Sequence, residues 1–216
     1  MSYPETIASQ LNIRPSQAAA AIELMDGGNT LPFIARYRKE MTSSLDEEQL
    51  RDIADLLRRL RALDERRETI LAAIAAQDKL TPELQAQLRA AETLTALEDL
   101  YQPYKKKRST RASVAREKGL EPLAGLILDQ PLGRQTAEQL AAPYITPDVP
   151  TAEEALAGAR DIVAETIADH AAVRSLTREK ALQYANIEVS YIKDAADEKR
   201  RYELYYDYSQ RVDRIR

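Results

Sequence analysis

Cysteine is absent from the 216 residues, so the chain has no disulfide framework and no thiolate for zinc or for nucleophilic attack. A reducing compartment permits that, and the cytoplasm is the expected location. Glycine is scarce, six in all and scattered. This excludes a Walker loop and a dinucleotide-binding fingerprint, and no serine has the flanking glycines of a nucleophile elbow. The sole histidine, His170, has Glu165 and Asp169 nearby in sequence but no second histidine, so it reads as a surface residue and no metal site is expected. No run of about 18 apolar residues is present to span a membrane, and Met1 to Ile13 lacks the basic start and apolar stretch of a signal peptide. Paired carboxylates such as Glu47-Glu48 and Glu153-Glu154 fall in first helical turns, where the macrodipole explains them without acid–base work. No catalytic residue, no cofactor and no enzymatic activity are therefore expected.

Positive charge is also in deficit. The net charge is −4 and the sequence pI about 5.3, so the chain as a whole repels a polyanion and any nucleic-acid contact has to be local. The charge is unevenly spread: Pro103 to Lys118 holds seven Lys or Arg against one Glu, whereas Pro143 to Glu198 holds five basic against eleven acidic side chains.

What the sequence has in quantity is helix formers, Ala, Leu, Glu, Arg and Gln, with 44% hydrophobic residues to build a core. The expected fold is all-α, a multi-helix array with helix-turn-helix-like hairpins, one long strut and at most one short isolated strand. Ser2 with Glu5 resembles a capping box, Pro15 suits the first turn of a second helix, and Gly27-Gly28 can supply its left-handed end. Thr30 caps a short helix on which Phe33 and Tyr37, four apart, share a face. Residues 1–42 thus read as a helix-turn-helix-like part. Ser44 with Glu47 opens a long helix over about residues 45–77, marked by Leu50, Ile53, Leu57, Leu60, Leu63, Ile70 and Ile74. At 1.5 Å per residue it measures roughly 45 Å.

Thr81-Pro82 opens the next helix, with Leu84 and Leu88 inward, and Thr95 with Glu98 caps another. A basic loop at 102–111 precedes a helix over Ala112 to Lys118 closed by Gly119, and Pro122 starts its partner. Pro131, Gly133, Pro143, Pro147 and Pro150 punctuate a looser connection with a short helix near Ala137 to Ala141. Thr151 and Glu154 cap a long helix with Leu156, Val163 and Ile167 on its buried stripe, and a further helix runs from about Ala171 to Tyr184. Ile187, Val189 and Tyr191 alternate with Glu188 and Ser190 as a lone strand, after which Lys193 to Tyr208 regains helical composition. Residues 1–192 are taken as one helical region and 193–216 as the start of a connection to further domains.

Two segments could carry function. In the loop, Lys105, Lys106, Lys107, Arg108 and Arg111 precede a helix start, where cations release counterions from a nucleic-acid backbone and free N–H groups can meet a phosphate oxygen. The bland alternative is a solvated charge run, or one paired with the acidic half of the chain. In LPFIARYRKE, residues 31–40, Arg36, Arg38 and Lys39 flank Tyr37, and stacking with charge can hold a single strand. Against this, Phe33, Ile34 and Tyr37 read as core residues, with the cations decorating the outer face, and that placement is the one expected. RPSQAAAAIELM, residues 14–25, offers Arg14, Ser16 and Gln17 before an alanine run suited to close helix packing, a weak basis for reading bases. The arginines at 58, 59, 61, 66 and 67 interleave with Asp55, Asp64 and Glu65 as intrahelical pairs. Tyr202, Tyr205, Tyr206 and Tyr208 either stack bases or bury against another domain.

Three blocks carry a family resemblance: LNIRPSQAAAAIELMDGGNTLPFIARYRKEMT from Leu11 to Thr42, LEDLYQPYKKKRSTRASVAREKGLEPLA from Leu97 to Ala124, and YELYYDYS from Tyr202 to Ser209. Together they resemble the N-terminal region of bacterial Tex-type transcription accessory proteins. The resemblance implies a longer parent that continues into an RNase H-like domain, helix-hairpin-helix elements and an RNA-binding OB-fold. It also implies a transcription-associated role related to that of eukaryotic elongation factors that act as histone chaperones. The implied partners are RNA or DNA in the context of the parent, and the transcription machinery, with no membrane. The matching basic positions are Arg36, Arg38, Lys39, Lys105, Lys107 and Arg108, and no family catalytic residue falls among them. Proline often stands in the family where this chain has Lys106, and arginine where it has Ser109, so the loop here lacks a proline's restriction. The function expected is nucleic-acid association through weak, non-specific phosphate contacts; the alternative is a protein-interaction or domain-positioning scaffold.

Overall fold

The computed structural model describes residues 2–105, 108–130, 135–193 and 199–215. Among them the chain forms eleven α-helices and one two-stranded antiparallel ribbon, so the all-α expectation holds. It divides into two units, Met1–Leu97 and Glu98–Arg216.

In the first unit, capping chemistry sets the helix ends. α1 (Tyr3–Leu11) opens with the Ser2–Glu5 capping box and ends at Asn12, which is left-handed at φ 52°. α2 (Pro15–Asp26) starts on its proline and is followed by Gly28 at φ +83°, a conformation an L side chain rarely adopts. α3 (Leu31–Tyr37) follows Thr30. α4 (Glu47–Ala75) has 29 residues, about 44 Å, and is capped not by Ser44 but by Asp46, whose carboxylate accepts from the Gln49 N–H at 2.8 Å. Ser43 and Ser44 instead form a turn with positive φ, 50° and 66°. α5 (Pro82–Ala90) is capped by the Thr81 hydroxyl. α6 (Leu94–Tyr101) is opened by Thr93, whose Oγ1 accepts from the Ala96 N–H at 3.1 Å, rather than by Thr95.

Ile7, Ala18, Ala21, Ile34, Leu50 and Ile53 are fully buried and pack together. The alanines let α2 lie close to its neighbours, and each large aliphatic contributes roughly 1.5–3 kcal/mol by leaving water. The buried stripe of α4 includes Leu63, Ile70 and Ile74, and Arg67 occupies a position on it between them. Arg67 donates to the carbonyls of Leu88 (3.1 Å) and Ala91 (2.9 Å), satisfying groups at the end of α5, and also pairs with Asp64. Arg58 pairs within α4 with Asp55, but Arg61 reaches out to Asp26 of α2 through two bonds of 2.8 and 2.6 Å. That bond lowers the Asp26 pKa and raises that of Arg61.

In the second unit, α7 (Arg111–Glu117) and α8 (Glu121–Asp129) form the expected hairpin around Gly119, left-handed at φ +77°. α9 (Ala137–Ala141) leads to α10 (Ala152–Asp169), capped by Thr151, and α11 (Ala171–Tyr184) follows. Pro131 and Gly133 lie outside the described residues. The buried stripe of α10 is Ala155, Ala159 and Ile162; Leu156 and Val163 pack on its edge, and Ile167 is exposed. Gly158 lies in the same stretch, and a Cβ added there would clash with Leu120 Cδ1 and come within 3.3 Å of Ala115 Cβ. Leu120 is buried and has little room to retreat. Gly158→Ala is therefore expected to destabilise by about 1 kcal/mol, overpacking outweighing the better helix propensity, and Gly158→Val by about 2–3 kcal/mol. Thermal melts of the two variants check the order.

The isolated strand is corrected: β1 (Asn186–Ser190) pairs antiparallel with β2 (Asp207–Arg211), Val189 opposite Tyr208. Residues 194–198 lie outside the described residues, and among the described residues of the segment expected to be helical over Lys193 to Tyr208 there is a short 3-10 turn at Glu203–Tyr205 and then β2, with no α-helix. In the pairing, Tyr208 and Gln210 stand across from Val189 and Ile187, so one face gathers the apolar side chains.

Candidate nucleic-acid interface

Two segments of the first unit build the surface around α3. Ile34 points inward and is fully buried, which turns Phe33 and Tyr37 outward: they are 37% and 60% exposed, contrary to the core placement expected for them. Their ring centroids are 5.2 Å apart with planes tilted by 45°. The Arg38 guanidinium lies 5.2 Å from the Phe33 centroid, within cation–π range. Arg36 and Lys39 are exposed beside them, with Glu40 the adjacent acid.

The turn that follows holds this arrangement in place. Thr42 is fully buried, and its hydroxyl donates toward the carbonyls of Arg38 and Lys39, both at 3.4 Å. Lys39 O also accepts from the Ser44 N–H at 2.7 Å. Gln17 of α2 braces the turn from outside, its Nε2 donating to Ser43 O at 3.2 Å while its Oε1 accepts from the Arg14 N–H. Gln17 is thereby occupied with backbone, and Ala18 and Ala21 are buried, so α2 retains few side chains of the kind that read base edges.

In the second unit the basic loop is partly neutralised. Lys105 meets Glu98 at 2.6 Å and lies 5.7 Å from the Tyr101 ring centroid. Arg111 stands 3.4 Å from Asp161 but is 88% exposed, and such a surface pair is worth little. Arg108 is exposed, and Lys106 and Lys107 lie outside the described residues. The start of α7 is already occupied: Thr110 Oγ1 accepts from the Ser113 N–H at 3.0 Å and donates to Glu165 at 3.1 Å. An open cleft of about 500 Å³ beside this helix is lined by Arg111 and Lys118 on one hand and Glu154 and Asp161 on the other, a mixed polarity that does not select an anion.

Sequence reasoning missed Asp99. It is one of two buried polar residues among those described, and accepts from Arg174 Nε and Arg178 Nη2, both at 2.7 Å. The two arginines are four apart on α11, so one carboxylate fastens that helix. Burial pushes the Asp99 pKa up, but the hydrogen bonds and charges of the two guanidinium groups prevail and hold it below the ordinary carboxylate value. A lone Asp within a helical run carries no sequence signal of this; only Arg174 and Arg178 at helical spacing could have hinted at a shared partner.

These features define a helix-rich region of two units bearing a small aromatic and cationic surface on α3 and a half-compensated basic loop. Residues 1–75 match the Tex-like protein N-terminal domain and residues 133–216 the Tex central region-like model. The chain belongs to the Tex family of transcription accessory proteins and corresponds to its N-terminal region. It is 43% identical over 208 residues to the transcriptional accessory protein Tex of Neisseria gonorrhoeae, an alignment covering 96% of this chain and 27% of that protein. Protein YhgF of Escherichia coli K12 is also 43% identical, over 209 residues, 96% of this chain and 27% of that protein. The S1 RNA-binding domain-containing protein 1 of Homo sapiens is 33% identical over 168 residues, 76% of this chain and 16% of that protein. The chain thus spans less than a third of the length of these relatives. No helix among the described residues is long and apolar enough to cross a membrane.

Proposed function

We propose that this region of a Tex-type protein contributes weak, sequence-independent contacts to nucleic-acid phosphates in a cytoplasmic, transcription-associated setting, without catalysing a reaction. The observation that carries the reading is the cluster of exposed Arg36, Arg38 and Lys39 on and after α3, in a chain whose net charge is −4. Local cations on an anionic body favour a polyanion only where they project, and each neutralised phosphate releases counterions. Arg108, and Arg111 with its loose acid partner, supply a second set of contacts. The RNA-binding domain named for the human relative is consistent with a nucleic-acid setting for the family.

A salt titration tests this. With about three to four phosphates engaged, log affinity for a single strand is expected to fall with log salt at a slope near −2 to −3. Absence of binding at low salt, or binding indifferent to salt, overturns the reading.

One observation favours a second reading, a scaffold for a protein partner. α11 has no buried residue, and Leu176, Leu182 and Tyr184 are 52%, 56% and 72% exposed. Under that reading, reversing the charges of Lys105 to Arg108 in a full-length relative leaves its nucleic-acid affinity unchanged.

A further inference from the structure

We propose that Phe33 and Tyr37 form a stacking platform for unpaired bases of single-stranded RNA, a site that rests on the phosphate-binding reading and adds a base-dependent component to it. Three observations converge on α3. The two rings stand exposed at the surface, where two aromatic side chains ordinarily bury if nothing is to cover them. They are tilted by 45° with centroids 5.2 Å apart, so they do not close on each other face to face, and Tyr37 is 60% exposed. Cations frame them: Arg38 lies over Phe33, and exposed Arg36 and Lys39 flank Tyr37 in sequence, three positive side chains against Glu40.

Charge complementarity selects the occupant. A neutral apolar partner would gain nothing from three cations around the rings, whereas a nucleic-acid strand presents a phosphate beside every base. Duplex nucleic acid offers those phosphates but keeps its base faces stacked within the helix, so the rings can contribute only where bases are unpaired. RNA is the nucleic acid whose bases are commonly presented that way. Every base has a π-face, so the platform carries no sequence preference. The turn fixed by buried Thr42 and braced by Gln17 fixes the backbone at Arg38 and Lys39 before any ligand arrives, which lowers the ordering cost of binding.

The test uses the 216-residue chain and a fluorescein-labelled 12-nucleotide oligouridine, followed by anisotropy at low salt. Its comparisons are the same strand with abasic sites in its central positions, an RNA duplex of equal length, and the double variant Phe33→Leu, Tyr37→Leu. Expected is about tenfold tighter binding of the base-bearing single strand than of the abasic one or the duplex, with that difference abolished in the variant and the salt slope unchanged. Equal affinity for base-bearing and abasic strands overturns the stacking platform while leaving the phosphate reading intact, and points the rings toward a protein surface instead. No binding of any of the three probes overturns both. The abasic comparison requires no change to the protein, so it decides the matter even if the variant unfolds.

Discussion

Asp99→Asn is expected to destabilise the unit Glu98–Arg216 by about 2–3 kcal/mol at neutral pH, read as a lower midpoint in urea. The substitution keeps the shape and removes the charge. Two guanidinium groups then face a neutral amide, which can accept from only one of them well and turns an N–H donor toward the other. Breaking a buried pair from one side costs roughly 3–5 kcal/mol when the remaining charge is sealed in; Arg174 and Arg178 are 37% and 40% exposed and recover some hydration, which sets the lower figure. The pH dependence has a definite sign. The Asp99 pKa is depressed in the folded chain, so its contribution is fully present above the unfolded value, about 3.9, and is lost as pH falls through the folded one. The stability gap between the two proteins should therefore be constant from pH 7 to about 5 and narrow in more acidic buffer. A gap that stays open in acid would mean that shape, not charge, fastens α11.

Where an expectation succeeded, the chemistry responsible was local. Ser2 with Glu5, Thr81, Thr151 and the glycines at 28 and 119 each act within one turn of chain, and each sets a helix end where the sequence indicated. The errors came where a distant residue decides the outcome. Ser44 is as good a cap as Asp46 by composition, but the turn anchored by Thr42 carries the chain through positive φ at Ser43 and Ser44 before α4 can begin. Arg61 pairs with Asp26 because α2 lies beside α4, which spacing along α4 alone cannot reveal. Lys193 to Tyr208 read as helical from its charge and tyrosine content. The alternation of Tyr206, Tyr208 and Gln210 with Asp207 and Ser209 was present in the sequence, but it becomes decisive only with a partner strand, and β1 supplies it.

The α3 surface was legible in a different way. The spacing of Phe33 and Tyr37 puts them on one face of a short helix, as the structure has it, but spacing alone does not say which way that face points, and the usual burial of aromatics points it to the core. Seven residues allow about two turns, and Ile34 takes the inward side of them. In the basic loop the pattern of charge was equally plain. What it could not show is that Glu98 and Asp161 stand next to two of the cations, one from an adjacent helix and one from α10 some 50 residues away in sequence, a separation on the order of several helices.

That contrast leads to the sharpest functional expectation, a ranking of the two cation sets. Replacing Arg36, Arg38 and Lys39 together with glutamine is expected to weaken single-strand binding about 100-fold at 50 mM salt and only about 2- to 3-fold at 0.3 M, and to reduce the magnitude of the salt slope by about 2. The figures follow from three lost phosphate contacts at about 0.7 counterions each on a single strand. Stability should change by less than about 0.5 kcal/mol, since all three side chains are exposed. Arg111→Gln should cost about 3-fold or less, because Asp161 already offsets part of that charge in the free protein. Fluorescence anisotropy at the two salt concentrations measures both effects. If the loop substitution proves the more damaging, the acid contacts of Lys105 and Arg111 open on binding, the basic loop is the principal contact, and α3 is not the site at which this region meets a nucleic acid.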